Sequence, residues 1–351
     1  MPENSKTGDR SKTPAAKRAP RRARHYTPTL PLTQAPYFEL PFSLSDSVKY
    51  LFDIWRPFNQ RFLLLLLAIA VWSWFTPSLE RARSFQLDWM LEIALRNLAI
   101  VLLVAGGLHL LLFTFARQGD ETRFDARPLA RKSKVFHFGN QLRDNIFWTL
   151  CGSVPIGSLW ECLLLWAYAN GHATLISFAQ EPIWFIGLML LIPIWSGFHF
   201  YWYHRLGHVE PFYRWFHSWH HKNINTGPWS GHAMHPVEHL VLYSDLAIYF
   251  LLASHPIHVI FNAMLHTVAG PTSHCGYHRV RLTRFFSLQL GDFMHQLHHR
   301  YFDCNYGSYE TPWDKLFGSF HDGTAAGDAA IKARRRRLFE KKNQAASPLD
   351  Q

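Results

Sequence analysis

Eight histidines in the second half of this 351-residue chain occur in three short motifs with helical spacing. The motifs are HxxxH (His204 and His208), HSWHH (His217, His220 and His221) and HQLHH (His295, His298 and His299). Residues three or four positions apart project from one face of a helix, so each motif is expected to direct its imidazoles toward one point. Imidazole binds iron, zinc, copper and nickel. The spacing therefore predicts a metal centre without naming the metal.

Histidine is concentrated in the region that carries these motifs. A lone histidine is more often a satisfied polar group than a ligand, and we assign that role to the isolated ones. All but five of the 22 histidines lie between residues 199 and 299, and the five are His25, His109, His137, His172 and His321. Neither chance nor a surface pH sensor accounts for three motifs with repeated helical offsets, so the clustering strengthens the metal prediction.

Four apolar runs lie between the basic ends of the chain. Each is close to the roughly 20 residues that a helix needs to cross a bilayer, and none contains Lys or Arg. A buried helix of a soluble protein is shorter and amphipathic. The runs therefore predict four transmembrane helices, over residues 62–79, 97–116, 145–170 and 182–203.

The basic residues between these runs predict the orientation. Residues 117–144 contain seven Lys or Arg, whereas residues 171–181 contain none. The positive-inside rule then places the N-terminus, the 117–144 segment and everything after Tyr203 on the cytoplasmic side. The histidine motifs are therefore expected at the cytoplasmic face of the membrane.

A further apolar stretch, residues 240–270, is interrupted at Ser254 to Pro256. Its halves of about 14 residues are too short to cross a bilayer, and the last motif must return to the side of the first two. We therefore predict a re-entrant or interfacial hairpin. The expected fold is an all-α integral membrane protein with about four transmembrane helices, this hairpin and a cytoplasmic helical cap carrying a histidine-rich metal site, which the resemblance given below implies to be a dimetal site.

Composition divides the chain into four regions. Residues 1–45 are predicted to be a disordered basic N-terminal arm and residues 323–351 a basic C-terminal tail, with a transmembrane region at 46–180 and a histidine-rich region at 181–322, which the resemblance given below implies to be catalytic. Basic arms beside membrane helices suit anionic lipid headgroups, so nucleic acid is not an expected partner.

The cysteines and the two ends bear on the compartment. The four cysteines lack CxxC spacing, which indicates neither a disulfide framework nor a thiolate zinc site and favours a reducing compartment. The N-terminal arm lacks a secretory signal, and the ending SPLDQ is not a retrieval signal. We expect a multi-pass protein of a bacterial inner membrane in preference to the endoplasmic reticulum.

Beyond the three motifs, the chain contains HPVE (235–238), SHCGYH (273–278) and NYGSYETPWDKLFGSF (305–320). In this order, the set resembles the fatty acid hydroxylase and sterol desaturase superfamily of integral-membrane di-iron enzymes. The resemblance covers about residues 180 to 320. It implies an oxidoreductase that uses two iron ions and O2 to hydroxylate or desaturate a membrane lipid: a sterol, a fatty acyl chain, an ether lipid or a lipid headgroup.

Eight histidines are few for two metal ions that each need several ligands. The resemblance implies that His274 and His278, again four positions apart, complete a set of ten. The residues His235, Glu238, Asp292 and Asp314 are candidates to orient a ligating imidazole through its second nitrogen.

Two other protein classes also use histidine ligands. A zinc-dependent membrane hydrolase usually has a Glu base in an HExxH motif, which this sequence lacks, and a bis-histidine haem electron-transfer protein needs histidines facing each other within the spans. Zinc is also an expected substitute for iron in purified material. Because no flavin, nicotinamide or haem domain is evident, we expect a separate electron donor of the cytochrome b5, ferredoxin or reductase type.

Overall fold

The computed structural model describes residues 25–37 and 40–346, and in these ranges the chain is predominantly helical, as the sequence predicts. The exception is an antiparallel hairpin in which Arg279–Arg281 pairs with Ser287–Gln289. In chain order, the helices are α1 Leu44–Ile54, α2 Gln60–Phe75, α3 Leu87–Thr114, α4 Gln141–Ala169, α5 Pro182–Gly207, α6 213–221, α7 Pro236–Leu242, α8 Pro256–Ser273, α9 Phe293–Tyr301, α10 Trp313–Leu316 and α11 Ala325–Ala346, with 3-10 turns at Arg81–Arg83, Pro228–His232 and Tyr243–Phe250.

Three of the predicted spans correspond to helices long and apolar enough to cross a membrane, namely α3, α4 and α5. The first predicted span corresponds to α2, which has only 16 residues. Asn59 caps its first turn, and the helix ends at Phe75, just before Thr76 and Pro77. Since 16 residues of helix extend about 24 Å, less than the ~30 Å hydrocarbon core, a fourth crossing remains a prediction.

A buried ion pair joins α3 to α4. The guanidinium of Arg96 binds the Glu161 carboxylate, and the neighbouring Asn97 Nδ2 donates to Ser158 Oγ at 3.0 Å. Arg96 is 8% exposed and Glu161 is fully buried. The sequence places the start of this span after Arg96, but α3 begins at Leu87, so the charge lies inside the helix and is neutralised by its partner.

The 240–270 stretch reverses its direction, and its second half is longer than expected. After α7 and the Tyr243–Phe250 turn the chain reverses, and α8 then extends for 18 residues to Ser273. The tip lies beside the 171–181 loop, since Ser254 N donates to Thr174 O and Ile176 N donates to Ser254 O, both at 2.9 Å. The hairpin therefore reaches the end of α5 opposite His204, although its disposition in a membrane remains a prediction.

The terminal segments are more ordered than the sequence suggests. Residues 25–37 pack against the 181–322 region, with hydrogen bonds from Leu32 N to Asp322 O and from Ala35 N to Tyr309 O, both 2.8 Å. The prediction of a disordered arm is therefore wrong for this segment, and residues 1–24 lie outside the described residues. In the basic tail, α11 buries Ile331, because this helix packs against the 181–322 region.

We expect Arg96→Ala to destabilise the protein by about 3–5 kcal/mol, because it leaves the buried Glu161 carboxylate without its cationic partner. The measurement is the denaturant midpoint of the purified protein in detergent. Replacing both residues, Arg96→Met with Glu161→Leu, should recover much of the loss. Arg81→Ala, which breaks an exposed pair with Glu92, is the matched control, and equal losses in Arg96→Ala and Arg81→Ala would contradict this account.

Candidate metal centre

Nine histidines converge into two groups where α5, α6, α8 and α9 meet. The potential ligand atoms of each group lie within 4.8 Å of one another. The first group contains His204, His208, His217, His221 and His298, and the second contains His220, His274, His295 and His299. All are buried except His208, which is partly exposed.

Each HxxHH motif divides its histidines between the two groups. In α6, His217 and His221 belong to the first group, whereas His220 belongs to the second. In α9 the division is reversed, because His295 and His299 belong to the second group and His298 to the first. Residues four apart share a helical face more closely than residues three apart. The expectation that each motif addresses a single point is therefore wrong, and each motif instead connects the two groups.

The distances within each group fit a metal ion. In the first group, His217 Nε2 lies 3.0 Å from both His208 Nε2 and His221 Nε2. In the second, His274 Nε2 lies 3.0 Å from both His295 Nε2 and His299 Nε2. Two nitrogens bound at right angles, ~2.1 Å from one ion, would be ~3.0 Å apart. The donor sets thus suit two neighbouring ions.

The second nitrogen of several rings is held by an oxygen acceptor. His217 Nδ1 lies 2.5 Å from Glu238 Oε1, and three other rings use backbone carbonyls. The carbonyl contacts are His204 Nδ1 with Tyr306 O at 2.6 Å, His298 Nδ1 with Cys304 O at 2.7 Å and His274 Nδ1 with Gly270 O at 3.0 Å. A proton on Nδ1 leaves the Nε2 lone pair available for a metal.

Burial favours the neutral form of several of these imidazoles. Desolvation lowers the pKa of His274 to about 3 and places the pKa values of His220 and His298 well below the ordinary range. At neutral pH these three rings are therefore uncharged, which is the form that binds a metal.

The four candidate orienting residues have different surroundings. Glu238 contacts His217 directly, whereas Asp314 accepts hydrogen bonds from Tyr306 N at 2.9 Å and Gly307 N at 2.8 Å. Asp314 therefore holds the loop whose Tyr306 carbonyl contacts His204. The spacing of side chains in the sequence gave no signal for this backbone contact. Asp292 caps α9 by accepting from His295 N at 3.1 Å.

The fourth candidate, His235, lies away from the metal ligands. Its ring packs on Phe216 and Trp219, with centroids 4.9 and 4.6 Å apart, and it caps the start of α7. A role in orienting a ligating imidazole is therefore not supported for His235, because its polar atoms serve the helix end.

The predicted pair His274 and His278 is separated by the backbone. Gly276 adopts a φ of +80°, so the chain is not helical there and the two rings do not share a face. His278 packs against Tyr26 and Phe124, with ring centroids 5.3 and 6.3 Å apart. This placement corrects the expectation from the four-residue offset, since only His274 reaches a histidine group.

A cavity adjoins both groups and extends between α5 and the hairpin. Its apolar wall includes Phe200, Met234, Leu242 and Leu265. Ligand histidines of both groups line it, namely His204, His217, His220, His274 and His295. An apolar compound in this cavity would therefore lie directly beside the candidate metal sites.

Comparison with known proteins identifies related sequences. Residues 189–319 match the family model described as fatty acid hydroxylase. The cholesterol 25-hydroxylase-like protein of Danio rerio is 30% identical over 220 residues, covering 55% of this chain and 79% of the relative. Human lathosterol oxidase is 27% identical over 263 residues, covering 73% of this chain and 84% of the relative.

Fungal relatives are matched over a shorter region. The Delta(7)-sterol 5(6)-desaturase of Gibberella zeae is 29% identical over 178 residues, which is 48% of this chain and 52% of the relative. The chain thus spans about half the length of that desaturase. No solved structure matches the chain significantly.

The histidines on either side of Gly276 provide a matched pair of variants. We expect His274→Ala to lose bound metal, because its Nε2 lies among three other Nε2 atoms. We expect His278→Ala to retain metal, because its ring packs on aromatic residues instead. Metal analysis of the purified variants checks both, and metal loss in His278→Ala with full retention in His274→Ala would reverse the assignment.

Glu238 offers a second prediction. Removing the acceptor of His217 Nδ1 in Glu238→Ala should lower metal affinity about 10- to 100-fold, because such partners fix the orientation and basicity of a ligand ring. Metal retained against a series of chelator concentrations measures this. Glu238→Gln keeps an acceptor oxygen and should retain more metal than the Ala variant. Identical retention by wild type and Glu238→Ala would contradict the proposed role of the carboxylate.

Proposed function

The chain belongs to the fatty acid hydroxylase and sterol desaturase superfamily, and on this basis we propose that it is a di-iron oxidoreductase that hydroxylates or desaturates a membrane lipid with O2. The observation that carries the proposal is the division of nine histidines into two groups beside one largely apolar cavity. The sequence identifies the family, but the assignment of metal and substrate rests on this site.

The two histidine groups would hold the two iron ions. When bound, iron would supply the redox chemistry by which O2 oxidises an unactivated C–H bond. The protein contributes neutral imidazoles whose Nε2 atoms face the ion positions, with four rings fixed through Nδ1. His278 is left out of the proposed ligand set, which therefore has nine members.

The cavity supports a lipid substrate. Its apolar side chains come from α5, α8 and the α7 region. The apolar helices α2, α3 and α4 contribute to the same hydrophobic core. We propose that the lipid enters from the bilayer along the hairpin. The apolar wall would exclude water and hold the chain so that a C–H bond faces the histidine groups.

Contacts with the basic 117–144 segment favour a cytoplasmic site. His278 N donates to Thr122 O and Phe124 N donates to Gly276 O, both at 2.8 Å, so the histidine-bearing region contacts this segment. The positive-inside rule assigns that segment to the cytoplasm. We propose a bacterial inner membrane location in preference to the endoplasmic reticulum, with electrons from a separate donor of the cytochrome b5, ferredoxin or reductase type.

The geometry weighs against both alternative classes. A haem between two histidines would separate their nitrogens by the thickness of an iron with two axial bonds, about 4 Å, whereas the Nε2 atoms here are 3.0 Å apart. The Glu base of a zinc hydrolase usually lies in an HExxH motif, which this sequence lacks, and the Glu238 carboxylate contacts His217 Nδ1 through Oε1. Both alternatives are separated from the proposed function by metal analysis together with O2 consumption.

The proposal predicts O2-dependent lipid oxidation by iron-loaded protein supplied with a reductant. Lathosterol, palmitate and an ether lipid are suitable test compounds, because two relatives are named for Delta(7)-sterol desaturation and lathosterol oxidation. Mass spectrometry would detect a gain of one oxygen or a loss of two hydrogens. His221→Ala and zinc-loaded protein should both be inactive, and lipid cleavage without O2 would contradict the proposal.

A further inference from the structure

A buried ion pair lies in the wall of the cavity. Arg61 Nε donates to Glu310 Oε1 at 2.9 Å, and Arg61 Nη2 binds Glu310 Oε2 at short distance. The side chains of Arg61 and Glu310 are only 12% and 9% exposed. Both residues line the cavity together with His274 and His295. The pair thus forms a charged but neutralised feature beside the second histidine group.

One nitrogen of this guanidinium lacks a partner. Arg61 Nη1 is buried and makes no hydrogen bond within the described part of the chain. Buried N–H groups are normally satisfied, and leaving one without an acceptor is unfavourable. A compound in the cavity that offers an oxygen atom would satisfy Arg61 Nη1 and would be held in one orientation.

We propose that Arg61 and Glu310 form the subsite for the polar end of the lipid, and that this end carries a neutral oxygen acceptor such as a hydroxyl or carbonyl group. Glu310 already balances the charge of Arg61. A carboxylate or phosphate would therefore bring an uncompensated negative charge into a buried, largely apolar cavity. This inference rests on the proposed function, whose substrate class it narrows.

The position of the pair also restricts which carbon can react. Gln60, the residue before Arg61, donates from Nε2 to Thr272 Oγ1 at 2.7 Å, two residues before His274. The polar end would therefore lie beside the histidine groups, with the hydrocarbon directed along Phe200, Leu242 and Leu265. A carbon near the polar end, and not the far end of the tail, would face the metal sites.

Binding to zinc-loaded protein in nanodiscs tests the subsite without turnover. The sterol probes are lathosterol and its 3-deoxy analogue. The straight-chain probes are hexadecan-1-ol, hexadecane and palmitate. Each probe competes against a fluorescent sterol. We expect the hydroxyl form to bind about tenfold more tightly than the form lacking oxygen, as one hydrogen bond to a charged donor would give. Palmitate should bind no more tightly than hexadecan-1-ol.

Replacing the pair should remove this preference. In Arg61→Met with Glu310→Leu, the ratio between hydroxyl and deoxy forms is expected to fall below about twofold, while bound metal is unchanged. Arg61→Lys, which keeps the charge, should retain part of the preference. This variant keeps the test informative if the double variant fails to fold. The matched control is Arg81→Met with Glu92→Leu, an exposed pair away from the cavity, which should leave the ratio unchanged.

Several results would overturn the subsite. They are equal binding of hydroxyl and deoxy probes to wild type, no binding of either hydroxyl probe, or a preference that survives in the double variant. Tighter binding of palmitate would show that the subsite serves an anion. Loss of the preference in His266→Gln alone would assign it to His266, which lines the cavity and is paired with Asp245. A preference that depends on Arg61, without lipid oxidation by iron-loaded protein, would instead contradict the proposed function alone.

Discussion

The arrangement of the helices depends on holding nine histidines, eight of them buried, with their ligand nitrogens directed at two neighbouring points. A buried imidazole needs an acceptor for its remaining N–H, and four rings find one in Glu238 or a backbone carbonyl. This requirement extends outward, because Asp314 fixes the loop that carries the Tyr306 carbonyl. The packing of α5, α6, α8 and α9 can therefore be understood as support for ring orientation.

The repetition of HxxHH follows from the same requirement. One such motif contains a pair of histidines four residues apart and a third histidine that projects from the helix at a different angle. The motif can therefore contribute to two sites at once. A second motif with the opposite division completes both groups. His220 of the first motif joins the pair from α9, and His298 of the second motif joins the pair from α6. The two sites are thereby tied to the same two helices, which fixes their separation more rigidly than independent loops would.

Local pattern predicted much of this structure. Hydropathy located α3, α4 and α5, and helical spacing identified eight of the nine clustered histidines. Spacing could not reveal which point each ring addresses, because that depends on how α6 and α9 face one another. The resemblance implied His278 as a ligand, but the left-handed backbone of Gly276 separates its ring from that of His274. The packing of residues 25–37 and the Arg96–Glu161 pair depend on contacts distant in sequence, which local composition does not encode.

The most direct test is a structure of the metal-loaded protein with element-specific anomalous scattering. The account predicts two metal peaks per chain, one bound by His217, His221 and His298 and the other by His220, His295 and His299. A single peak, or one ion bound by all three histidines of the same HxxHH motif, would contradict the division of each motif between two sites.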